Sequence, residues 1–228
     1  MSGQEMEWIE RVPVHQPAWL FISLFILISL FAWIRIYYGS ILNQTIQASV
    51  NLQVANRIFL NNSLLQKQLD NMLYLLYLLV AGLFAYVIEW RFHVFPYKLS
   101  GIFLYMFNLG LLAGIFFVRI LLVNLTGFLF NRIKIFREYL YNTFIFNKLI
   151  GIALLPVLIF LFYTKGVLKE VFIWASMVLL AAILIMRMAR GLIYSFRKDI
   201  SIFYLFLYLC ALEIAPLMIL YRWFEGIL

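Results

Sequence analysis

Six stretches of this chain run for sixteen residues or more with almost no charge: Ala18 to Ile34, Asn71 to Ile88, Leu99 to Val118, Leu149 to Thr164, Val171 to Met186 and Ile200 to Tyr221. Only the last holds a charged side chain, Glu213. A helix needs about 20 mainly apolar residues to cross the hydrocarbon core of a bilayer, and flanking Lys or Arg can snorkel to trim that length. The predicted fold class is therefore all-α, a polytopic transmembrane helix bundle of about six spans. Composition agrees: 66% of the 228 residues are hydrophobic, 12% are charged, and the mean hydropathy is +0.98. A soluble domain carries about a quarter of its residues charged, so that class is excluded. Trp19, Trp33, Trp90, Trp174 and Trp223 fall near run ends, where indole rings favour the headgroup level.

The Lys and Arg distribution orients the bundle. The first, third and fifth connections hold twelve of these residues, while the tails and the other two connections hold six. By the positive-inside rule the odd connections are expected in the cytoplasm and both termini outside. Residues 1–17 form a short extracytoplasmic tail in this reading, with Glu5, Glu7 and Glu10 against Arg11. That acidic start does not suit a cleavable signal, so the first run is expected to stay as an anchor. Residues 18–228 then make one membrane domain. The net charge of +8 lies mostly on the cytoplasmic face, where anionic lipid headgroups are the expected partners. Nucleic acid is not expected, because the basic residues occur in ones and twos beside spans.

Two connections are more than short loops. Between Gly39 and Asp70 the chain is polar but almost uncharged, and Asn43 to Asn71 holds eleven amides. Ile46, Ala48, Val50, Leu52 and Val54 alternate with polar residues as in a strand, while Leu42, Ile46, Val50, Val54 and Ile58 recur every four residues as in a helix. An isolated strand would leave unpaired edges, which favours an interfacial or packed helix. Gln47, Asn51, Gln53, Asn56 and Arg57 are the candidate docking residues for a partner; a helix that simply covers the cytoplasmic end of the bundle is the competing reading. Residues 119–147 continue the third span and then alternate basic and aromatic side chains from Arg132 to Tyr141, which predicts an amphipathic helix in the interface.

Glu213 lies well inside the hydrocarbon, about 12 Å from the outer end of its run at 1.5 Å per residue. A carboxyl at that depth has to be protonated, paired or facing a wet cavity. Pro216, three residues on, removes a backbone donor and predicts a kink. The pair reads either as an ion or proton site, or as a lock in which Glu213 bonds Arg119, Asn108 or a Tyr hydroxyl. Gly110 and Gly114 form a GxxxG spacing that allows a close helix crossing. Pro156 predicts a second kink. One cysteine (Cys210), two histidines (His15 and His93) and two aspartates (Asp70 and Asp199) leave little for metal or redox chemistry, and no catalytic or nucleotide-binding motif is present. No catalytic, metal-ligating or cofactor-binding residue is assigned, and a non-enzyme is expected.

The stretch Tyr208-Leu-Cys210-Ala-Leu-Glu213-Ile-Ala-Pro216-Leu, the segment from Phe146-Asn147-Lys148 to Pro156, and the Gln/Asn-rich first connection together resemble a domain-of-unknown-function family of polytopic bacterial inner-membrane proteins, seen mainly in Bacteroidota. The resemblance implies a multi-pass protein of the inner membrane and supplies no mechanism. Two functions remain in view: a non-catalytic subunit of a cell-envelope complex with other membrane-protein subunits as partners, for example in protein export or envelope assembly, and a small ion- or proton-coupled carrier or channel using Glu213 beside Pro216.

Overall fold

Between residues 64 and 92 the inward side chains Leu69, Leu73, Leu76, Val80, Leu83 and Val87 alternate steps of four and three, and none is more than 5% exposed. This is a heptad seam, the spacing that holds one stripe of a helix against a neighbour over several turns. The computed structural model describes residues 18–60, 63–92, 101–129, 133–164 and 166–197. They form α1 (Ala18–Val50), α2 (Leu52–Leu60), α3 (Leu64–Phe92), α4 (Ile102–Leu129), α5 (Ile133–Tyr163) and α6 (Val167–Arg197). No strand occurs among the described residues.

The seam of α3 faces α5, whose Ile150, Leu154, Leu158 and Leu161 supply the opposing stripe. The two helices are parallel: Asp70 meets Lys148, and Tyr77 meets Gly151 one to two turns further on. A Cβ on Gly151 would lie 2.8 Å from the Cα of Tyr77, so the backbones touch where only glycine fits. α1, α4 and α6 run the other way and pack around this pair, with α5 touching all of them.

Five helices are long and apolar enough to cross a membrane: Ala18–Ser49, Leu64–Glu89, Ile102–Leu125, Thr143–Tyr163 and Val167–Arg190. They correspond to the first five expected runs, the third of which begins at Leu99 just outside the described residues; the sixth, with Glu213, Pro216 and Cys210, lies outside them, as do residues 1–17 and His93. The protein is thus a multi-pass helix bundle, with one short additional helix, α2, among the described residues.

The helices overrun the uncharged runs. α1 does not stop at Ile34 but continues to Val50 across a kink at Tyr38 (φ −123°, ψ 22°), next to Gly39. Residues 42–50 and 52–58 are helical, and of the set that recurs every four residues Leu42 and Ile58 are buried, while Ile46 and Val54 are partly buried. α2 begins on a cap, since Asn51 Oδ1 accepts from the backbone N–H of Gln53 at 2.9 Å. Its Ala55 and Ile58 pack on Ile145 of α5 and Ala48 of α1. The basic and aromatic stretch expected as a separate interfacial helix is continuous with the fourth span, giving a 31-residue α5 that runs unbroken through Pro156. At about 46 Å it exceeds the hydrocarbon thickness, so its first turns extend beyond the core at the end where Arg57, Lys67, Arg187 and Arg190 gather. This is the basic end of the bundle.

At the opposite end Gly101 starts α4 with φ +58°, and a side chain there would meet Trp19 Nε1 at 3.1 Å. Trp19 in turn packs on Tyr86 and Tyr105, tying α1, α3 and α4 together.

Candidate functional site

Ser63 caps the start of α3, accepting from the Gln66 N–H at 3.3 Å. In a capping box the residue at this third helical position reaches back to the cap; here Gln66 reaches forward, and its Nε2 donates to Asp70 Oδ1 at 3.4 Å. The same oxygen accepts from Lys148 Nζ at 2.5 Å. Lys148 retains 1% of its exposure and Asp70 19%, so an ammonium with its whole stem is enclosed by the bundle and meets its counter-ion from a second helix. Both residues lie about 8–9 Å inside the basic ends of their spans, counted along the helices.

The walls are aromatic. The Lys148 ammonium sits 5.2 Å from the Tyr74 ring centroid and 5.5 Å from that of Tyr141, a cation–π arrangement on two sides. Tyr74 continues into a cluster with Phe116 of α4 and Phe144 of α5, centroids 5.0 Å apart. The Tyr74 hydroxyl is buried without a hydrogen-bond partner. Burial, with Asp70 beside it, pushes the Tyr141 phenol up against the opposing Gln66 amide, so it stays a neutral hydroxyl. Arg119, half-buried on α4, lies within electrostatic reach of Tyr74 and Tyr77. α6 closes the group: Arg187 Nη1 donates to Asn147 Oδ1 at 3.3 Å, and Arg190 Nη1 to the Ala48 carbonyl at 2.7 Å. A carboxylate and an ammonium enclosed this way can hold α3 to α5 through one buried charge pair.

The sequence-level candidates are distributed differently. Arg119 belongs to the polar cluster, but Asn108 does not. It lies about 16 Å away along α4, near the other end, and its Nδ2 donates to Glu89 Oε2 at 2.7 Å. Among the described residues nothing lies within 4 Å of a would-be Cβ on Gly110 or Gly114, and the close crossings occur instead at Gly151 and Gly82. Gln47, Asn51, Gln53 and Arg57 are exposed on the end of α1 and on α2; Asn56 belongs to α2. Glu213 and Pro216 lie outside the described residues.

Asp70, Lys148 and Glu89 were missed because a search for uncharged runs takes each charge as a boundary. Asp70 immediately precedes the second run and Lys148 the fourth. A usable signal was present: Lys148 stands alone in an otherwise uncharged stretch from Tyr139 to Thr164, too long for a span that begins after it. Among the described residues no three His, Cys, Asp or Glu side chains gather in a metal-binding arrangement.

A family model described as "Domain of unknown function (DUF4271)" matches residues 20–224. No curated protein and no solved structure matches the chain.

Proposed function

The chain belongs to the DUF4271 family, and on that premise we propose that this multi-pass membrane protein is a non-catalytic subunit of a cell-envelope complex, for example one handling protein export or envelope assembly. The observation that supports this reading is the construction of the amide-rich segment. It is not a loose connector but a capped, two-helix extension whose inner face, Ala48, Ala55 and Ile58, is packed on α5. Its outer face presents Gln47, Asn51, Gln53 and Arg57. A rigid polar surface held this way suits a protein partner on the cytoplasmic side, since little ordering entropy remains to oppose docking. In the same reading the basic end faces the cytoplasm, in a bacterial inner membrane, with both termini outside.

The test is affinity purification of the full chain at native expression in mild detergent, comparing wild type with Gln47→Arg/Gln53→Arg/Arg57→Glu. A stoichiometric partner that is lost in the triple variant, with the variant still folded and abundant, is the expected result. A wild-type chain that purifies alone overturns the docking role.

A coupled carrier is the second reading, and the Asp70–Lys148 pair at membrane depth favours it. In that case Glu213→Gln leaves abundance intact and abolishes ion or proton flux in proteoliposomes, and so does the paired change Asp70→Asn/Lys148→Met, which strands no charge. Flux equal to wild type in both variants removes this reading.

A further inference from the structure

Arg190 is the last residue of the span on α6 and keeps only 9% of its exposure. Its Nη1 donates to the Ala48 carbonyl at 2.7 Å, and the guanidinium carbon lies 5.4 Å from the Phe146 ring centroid. Nη2 is buried with no hydrogen-bond partner. No acidic side chain pairs with this guanidinium among the described residues; the acid one helix away, Asp70, is bound by Lys148. Arg187, one turn earlier, is held by the neutral amide of Asn147. Arg190 is thus anchored to α1 by a neutral acceptor, with a second guanidinium one turn away on the same side of α6.

A buried cation with one neutral acceptor and an idle donor is an incomplete site. An ordered water would satisfy Nη2 but not the charge. An oxyanion satisfies both, and the planar fork of arginine fits phosphate oxygens. The position matches the source, because a basic pocket between transmembrane helices at the cytoplasmic end lies at the depth of lipid phosphates.

We propose that Arg190 binds a phosphate-class oxyanion between α1, α5 and α6, presented by an anionic phospholipid or as free phosphate. The site is separate from the docking surface on α2 and stands or falls without it.

The experiment uses the full chain in neutral detergent, following its thermal unfolding midpoint during titration with phosphatidylglycerol in mixed micelles, with phosphatidylcholine, or with inorganic phosphate. Native mass spectrometry counts retained lipid. Phosphatidylglycerol is expected to raise the midpoint saturably with one lipid retained per chain, phosphatidylcholine to have little effect, and Arg190→Gln to need roughly tenfold or more lipid for the same response, the loss of one charge-assisted contact. The same saturation with inorganic phosphate alone identifies free phosphate as the ligand. If Arg190→Gln does not fold, Arg190→Lys, which keeps the charge and loses the fork, is expected to weaken binding in the same direction. No saturable response to either anion in wild type, or an equal response in Arg190→Gln, overturns the proposal.

Discussion

Asp70 and Lys148 are 78 residues apart in the chain and 2.5 Å apart in the fold, each inside a membrane span and each the counter-ion the other needs. The contact exists because α3 and α5 are parallel neighbours, with the same ends of both helices at the same membrane face.

Removing one partner strands the other as an uncompensated buried charge. Lys148→Met is expected to destabilise the bundle by about 3–5 kcal/mol, and the double variant Asp70→Asn/Lys148→Met to recover most of that loss. Unfolding in mixed detergent micelles measures both; additive losses would show that the two side chains are not coupled.

Gly151 is the point where α5 meets the backbone of α3. Gly151→Val forces the Tyr77 Cα away and is expected to cost about 1–3 kcal/mol. Gly110→Ala and Gly114→Ala, with open space around the new methyl group, are expected to be neutral in the same assay.

At the far end Asn108 supports Glu89 through a 2.7 Å hydrogen bond. Asn108→Leu is expected to cost about 1–3 kcal/mol because the half-buried carboxyl loses its donor, and Glu89→Gln/Asn108→Leu to cost less than that change alone. A larger loss in the double variant would rule out this pairing as the cause.

Reporter fusions test orientation. Reporters inserted after Lys67 and Arg137 are expected to read as cytoplasmic, as is one after Lys198, and those at both termini as extracytoplasmic. A cytoplasmic reading at the N-terminus together with an external one after Lys67 would invert the bundle.

The long apolar runs determined by themselves that this chain is a multi-pass helical membrane protein, because a bilayer leaves a chain of such hydropathy few other choices. Periodicity left both strand and helix open around residues 42–58, and the cost of unpaired strand edges decided for the helix that the structure shows on either side of Asn51. Where each helix ends did not follow from the runs, because a charge next to an apolar run ends a span only if nothing inside the bundle neutralises it. Asp70 and Lys148 do so for each other, and only the packing of α3 beside α5 brings them together. The same holds for the anchoring of Arg190 on Ala48 and for the choice of Gly151 over Gly110 and Gly114 as a close crossing. Each depends on which helices are neighbours, and one-dimensional hydropathy does not encode neighbours.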